Sequence, residues 1–267
     1  MDLHLQGKRA LVTGSSSGIG ATIAKALARE GVTVLIHGRD EARAQQAADS
    51  ITSSGGRAFI VLGNVSSDAE TAHMANEVER LLGGIDILIN NAGAFVNRTW
   101  ETATAADWAE LYNANVLSTV RLVRLLLPGM RERGWGRIIQ IATTEAIAPF
   151  PNMPDYAASK AAMVNLTVSL SKALSGTGIT VNAVSPGIIA TSAVQQWYQA
   201  LAPHRGWGET WPEIERGVLR DVLPNTVGRL GREEDVAPLV AFLASPLAGF
   251  INGSNYRIDG GSTATVN

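Results

Sequence analysis

The 267-residue chain contains no cysteine, which excludes disulfides, thiolate metal sites and thiol nucleophiles. Histidine is scarce, and His4, His37, His73 and His204 show no metal-ligand spacing. Neither sign of charge is in large excess: the net charge is −2 and both signs are scattered, so no electrostatic footprint exists for nucleic acid or an anionic membrane. No uninterrupted apolar run reaches the ~20 residues needed to span a bilayer, and the opening MDLHLQGKR lacks an apolar secretory core. A soluble, cytoplasmic protein without nucleic-acid or membrane partners is expected. No Pro-, Ser- or charge-rich linker divides the chain, so a single domain over 1–267 is expected.

What is present is organised around DYAASKAAMVNLTVSLSK, Asp155 to Lys172. Pro154 and Asp155 supply a helix start, and Ala157, Ala161, Val164 and Val168 continue at helical spacing. Tyr156 and Lys160, four positions apart, therefore share a face. A unit positive charge about 4 Å from a phenol is worth roughly 4 kcal/mol at an effective dielectric near 20, or about three pKa units. Lys160 is thus expected to bring Tyr156 toward acid/base duty near neutrality; an ordinary amphipathic surface helix is the alternative that this pair alone leaves open.

Upstream, a strand over Lys8–Thr13 runs into TGSSSGIG and a helical stretch from Ala21 to Glu30. Such a loop aims backbone N–H groups at an anion, with Gly14, Ser16, Ser17, Gly18, Ile19 and Gly20 as its phosphate-facing residues. It lacks the Lys-Ser/Thr ending of a P-loop, so a dinucleotide is expected rather than ATP. The second strand ends in His37, Gly38, Arg39 and Asp40. Gly38 stands where an acid would hold the ribose of NAD, and Arg39 offers a 2′-phosphate a charge-assisted contact of roughly 1.5–3 kcal/mol. NADP(H) is the expected cofactor, with NAD(H) possible; Asp40 is read as the cap of the next helix.

A strand Arg57–Leu62 leads to Asn64 and Val65, and a helix over Asp68–Leu82 precedes the strand IDILIN. The alternation is that of an α/β protein. Asn90 to Gly93, NNAG, sit at that strand's end, where ligands meet open parallel sheets. A helical region from Thr104 to Arg133, kinked late at Pro128, holds Asn115 in an apolar setting. Strand GRIIQIA ends in Thr143 and Thr144, one loop before Tyr156.

Together TGSSSGIG, NNAG, Asn115, Tyr156-x-x-x-Lys160 and SPGIIAT (Ser185 to Thr191) resemble the short-chain dehydrogenase/reductase family over nearly the whole chain, including the closing INGSNYRIDGG. The resemblance implies a doubly wound Rossmann-type fold with a seven-stranded parallel sheet and helices on both faces, an NAD(P)(H) cofactor, and hydride transfer between an alcohol and a carbonyl. It implies that Tyr156 protonates the carbonyl, Lys160 lowers its pKa and holds the nicotinamide ribose, and Asn115 anchors a relay water. The polarising hydroxyl, a serine in the family, is here Thr143, with Thr144 as competitor; Asn64 replaces the usual aspartate at the adenine. Asn64, Val65, Asn91, Ala92 and Gly93 are expected to border the cofactor. Pro186, Gly187 and Ile189 are expected against the nicotinamide, and Thr191 against its carboxamide or the phosphates. The segment 192–229 is expected to be a substrate lid of little regular periodicity, whose Trp197, Trp207 and Trp211 suit a bulky apolar or aromatic substrate. A homotetramer is the family expectation. A 3-oxoacyl carrier-protein reductase and a catalytically impaired dinucleotide-binding module are the alternatives.

Overall fold

The computed structural model describes residues 1–265. Its strands are β1 (Arg9–Val12), β2 (Thr33–Gly38), β3 (Arg57–Leu62), β4 (Ile87–Asn90), β5 (Gly136–Ile141), β6 (Ile179–Pro186) and β7 (Asn255–Ile258). The helices are α1 (Gly18–Arg29), α2 (Glu41–Thr52), α3 (Asp68–Leu82), α4 (Ala105–Tyr112), α5 (Ser118–Glu132), α6 (Pro154–Ala173), α7 (Ser192–Arg205), α8 (Trp211–Asp221) and α9 (Glu233–Ala244). Strands apolar at successive positions can be satisfied only if both faces are covered. In β1, Ala10 and Val12 enter one core and Leu11 the other; in β4, Ile87 and Ile89 oppose Leu88 in the same way. Helices α1, α2 and α9 close the first face, and α3, α5 and α6 the second. Each fully buried Leu or Ile contributes about 1.5–3 kcal/mol of transfer free energy.

The seven strands pair in parallel in the order β3-β2-β1-β4-β5-β6-β7. This is the doubly wound sheet that the sequence implies. The strand order reverses between β1 and β4, so the glycine loop after β1 and NNAG after β4 lie side by side at the switch point, where the crossover helices diverge and leave a crevice.

The helical region expected over 104–133 runs from Ala105 to Glu132 with a π-helical turn at Asn113–Leu117 around Asn115, and Pro128 lies inside α5. Pro128 falls on an exposed face, where water can take the carbonyl that its missing N–H leaves free. One expectation about the chain needs correction. The segment 192–229 is regular: Val194, Trp197, Tyr198, Leu201 and Ala202 form a helical stripe on α7 that packs on Trp207, Ile214 and Val218. Trp207 is buried, and its indole N–H donates to Asp221 Oδ2 at 2.7 Å. That ring holds α7 to α8.

No helix of the described residues is long and apolar enough to cross a membrane. Among those residues no cluster of His, Asp and Glu could hold a metal ion.

Candidate active site

The glycine loop starts where β1 leaves the sheet. Gly14 and Gly18 adopt φ of 63° and 59°, left-handed values that favour glycine and turn the chain sharply into α1. Ser17 is the N-cap of α1, yet its side chain makes no capping bond, so the first-turn N–H groups stay open to an anion. Gly20 has a different role: a Cβ there would stand 2.5 Å from both Gly14 O and Asn91 Nδ2. The loop is packed against NNAG. Thr13 Oγ1 accepts the N–H groups of Asn91 (3.0 Å) and Ala92 (2.9 Å), and Asn91 Nδ2 donates to Thr13 O (2.9 Å) and Gly14 O (3.1 Å). The Asn91 side chain, expected beside the cofactor, therefore joins the two loops instead.

His37, at the end of β2, is the one buried histidine of the four. Gly14 N–H donates to its Nδ1 at 2.9 Å, which leaves the proton on Nε2, 3.0 Å from Gly63 O. Burial pushes this imidazole below its ordinary pKa, and neighbouring Arg39 adds to the fall. Only the neutral ring can accept from Gly14. The unfolded chain takes up a proton near ~6.5 and the folded chain only at lower pH, so this stabilisation is complete above about pH 6.5 and is lost as pH falls through the folded value. Melting temperature and cofactor affinity are expected to drop together on acidification below about pH 6, and His37→Ala should flatten that part of the profile. An unchanged slope in the variant would remove His37 from the explanation.

Next to His37, Gly38 lies so close to the loop that a Cβ would meet Ser16 Oγ at 2.9 Å, and Arg39 is exposed. Asp40 caps α2, accepting from Arg43 N–H at 3.1 Å, as expected. The open first turn of α1 suits the phosphates of a dinucleotide. On the neighbouring strand, Asn64 Oδ1 accepts from Ser66 N–H (3.0 Å), and the Val65 side chain is in the core. Past β6, Ala190 and Gly231 are joined by Ala190 N–H to Gly231 O at 2.8 Å, which fixes the segment carrying Pro186, Gly187 and Ile189. Thr191, expected to reach the cofactor, caps α7 by accepting from Val194 N–H (3.3 Å), while its methyl lies 3.7 Å from where a Gly18 Cβ would be. It places the start of the lid against the glycine loop.

The chemistry-bearing residues meet across α6, β5 and the π turn. Before α6, Met153 holds a left-handed φ of 59° and donates its N–H to Arg98 O at 2.7 Å. Arg98 also reaches the buried Asp155 (3.3 Å) and Asp107 on α4 (3.0 Å). These contacts fix the helix start that aims Tyr156. Asn115 is saturated: Oδ1 accepts from Ala94 N–H (2.8 Å), and Nδ2 donates to Ala94 O (3.0 Å) and to Ser159 Oγ (2.9 Å). The π turn supplies the inward aim that lets one amide tie the NNAG loop to α6 between Tyr156 and Lys160.

Lys160 and Tyr156 lie on one side of α6, with the ammonium 5.9 Å from the phenol ring centroid. The Lys160 Nζ donates to Ile141 O at 2.8 Å. Burial presses the ammonium down to about 8. Tyr156 is pushed above the ordinary phenol value by burial, then by the Glu145 carboxylate; a hydrogen bond with Thr143 opposes both. Part of the ring stays open to solvent, which limits the pressure of burial. In the protein without cofactor, burial sets the direction of the Tyr156 shift, and the Lys160 ammonium is itself desolvated and hydrogen-bonded to a strand carbonyl. Thr143 accepts from Glu145 N–H at 3.4 Å, leaving its O–H available to an oxygen beside Tyr156. Phe95 stands edge-on to Tyr156 with centroids 6.2 Å apart and forms an apolar side of the cleft.

The model of the family described as short chain dehydrogenase matches residues 8–202. The chain is 39% identical over 267 residues to the uncharacterized oxidoreductase YvaG of Bacillus subtilis, covering all of both chains. It is 33% identical over 259 residues to the 3-oxoacyl-[acyl-carrier-protein] reductase FabG of Pseudomonas aeruginosa, covering 97% of this chain and 98% of that one. The crystal structure of L-sorbose reductase from Gluconobacter frateurii, complexed with NADPH and L-sorbose, superposes with a TM-score of 0.94 at 34% identity over all of both chains.

Proposed function

Because the chain belongs to the short chain dehydrogenase family of oxidoreductases, we propose that it transfers hydride between NADP(H) and a secondary alcohol/ketone pair. The observation that carries this reading is the meeting of Tyr156, Thr143 and Lys160 past the carboxyl end of β5, on a sheet whose β1 leads to an open helix start and whose β2 leads to an exposed Arg39. Bound NADPH supplies the hydride. Thr143 donates its O–H to the carbonyl oxygen and stabilises the charge that grows there. Tyr156, held protonated by burial, gives its proton to that oxygen in the direction of reduction. Lys160 holds the nicotinamide ribose, and Asn115, whose amide is fully bonded, fixes the loop after NNAG against α6 between Tyr156 and Lys160. The remaining walls are Gly14, Ser16, Ser17, Gly18 and Ile19 at the phosphates, Asn64 and Val65 at the adenine, Ala92 and Gly93 beneath the ribose, and Pro186, Gly187 and Ile189 at the nicotinamide.

An apolar group of the ketone is assigned to Phe95, with the segment 192–229 as the lid. Trp207 does not contribute to that wall, since it is buried within the lid. Arg98, the cation on the loop carrying Phe95, is committed to Asp107 and Asp155, so nothing there favours an acidic carrier protein as substrate. Exposed Tyr112, Leu117 and Leu125 on the α4–α5 side and Phe250 near β7 support a homotetramer, which light scattering would establish. The cofactor assignment is tested by Arg39→Ala, expected to weaken NADPH roughly ten- to a hundredfold while leaving NADH nearly unmoved. Tighter binding of NADH than of NADPH by the unaltered enzyme would reverse it.

A further inference from the structure

Glu145 is a carboxylate only 9% exposed, two positions after Thr143 on the short 3-10 turn Thr144–Ala146. Its N–H donates to Thr143 Oγ1, so the residue is anchored to the hydroxyl beside Tyr156. Its Oε2 is buried and has no hydrogen-bond partner among the described residues, and no ion pair among them includes it. Burial alone pushes the carboxyl up to about 7. Its charge also raises two phenols, that of Tyr156 and that of Tyr198 on α7, the latter up to about 12 with burial as the larger cause. The carboxyl is therefore close enough to act on the phenol beside Thr143 and on one of the first lid helix. A buried acceptor without a donor is costly, and a polar group entering beside Tyr156 can supply one.

We propose that Glu145 recognises a hydroxyl on the carbon next to the reacting carbonyl, so that the preferred substrates are α-hydroxy ketones and the corresponding vicinal diols. This rests on Tyr156 and Thr143 receiving the carbonyl oxygen, as proposed above. A carboxyl that is part neutral and part charged near pH 7 can pair with a hydroxyl in either form, because a hydroxyl both donates and accepts. An ammonium would pair only with the charged form. The Phe95 edge remains available for an apolar substituent on the far side of the carbonyl.

The test compares α-hydroxyacetophenone with propiophenone, and hydroxyacetone with butanone, pairs that differ by a hydroxyl in place of a methyl. With NADPH, kcat/KM is expected to favour each hydroxy ketone by roughly ten- to a hundredfold. In Glu145→Leu the ratio should fall to within about twofold, and Glu145→Gln, which keeps an acceptor oxygen, should recover part of it. Equal kcat/KM within each pair in the unaltered enzyme, or a preference that survives in Glu145→Leu, overturns the role of Glu145 and leaves hydride transfer standing. Faster turnover of α-aminoacetophenone than of the hydroxy ketone overturns the hydroxyl assignment in favour of an ammonium. Absence of turnover with every ketone and both cofactors overturns this proposal together with the one it rests on.

Discussion

Tyr156→Phe is expected to lower kcat by roughly a hundred- to ten-thousandfold while the dissociation constant of NADPH hardly moves. The substitution removes the phenolic proton donor beside Thr143, and it keeps the ring that stands edge-on to Phe95. It touches neither the hydrogen bonds that join the glycine loop to NNAG nor the bond from Lys160 to Ile141. The direction of the pKa shift adds a second expectation. Because burial and Glu145 both favour the neutral phenol, reduction of ketones should persist into alkaline solution, whereas alcohol oxidation, which needs the phenolate, should rise with pH. Stopped-flow turnover together with NADPH titration by fluorescence separates the two effects. A Phe variant that turns over at more than a tenth of the original rate would mean that another group delivers the proton.

Thr143→Ala is expected to cost roughly a hundred- to a thousandfold in kcat, the magnitude of losing one preorganised donor to a developing oxyanion. The structure adds a reason for choosing this threonine over its neighbour. Thr143 has an extended backbone and a hydroxyl that acts on the Tyr156 phenol, whereas Thr144 opens the 3-10 turn. Thr143→Ser keeps the donor and removes the methyl that crowds it, so kcat should be retained or raised. Thr144→Ala should change kcat little. The reverse pattern, with Thr144→Ala damaging and Thr143→Ala silent, would move the polarising role to Thr144. Thr143→Ala also deprives Glu145 N–H of its acceptor, so activity should be compared at temperatures where both variants are fully folded.

Much of the fold and part of the site were legible in residue order because they depend on local geometry. Glycines that need left-handed φ, a phenol and an amine on one helical face, and apolar runs suited to strands covered on both sides are properties of a few neighbouring positions. For that reason the glycine loop, the Tyr156 helix and the bounds of β3 and α3 agree with expectation. The stripe on α7 was not read from the sequence, where the segment showed little regular periodicity and its tryptophans suggested a pocket, and only the neighbouring helix α8 shows what they pack against.

The sequence by itself determined the family, the doubly wound sheet and the placement of a phenol and a lysine on one helical face. Tertiary structure alone decided which polar groups are already occupied and which are left over. Asp155 finds Arg98 57 positions away, Asn115 finds Ser159 44 away, and His37 bridges Gly14 and Gly63. No spacing rule reaches such partners, because they are set by the docking of elements across the sheet. The same docking buries Lys160 against Ile141 and leaves the Glu145 carboxylate without a donor. The cost of burying a charge depends on the three-dimensional surroundings, and these exist only once the chain has folded.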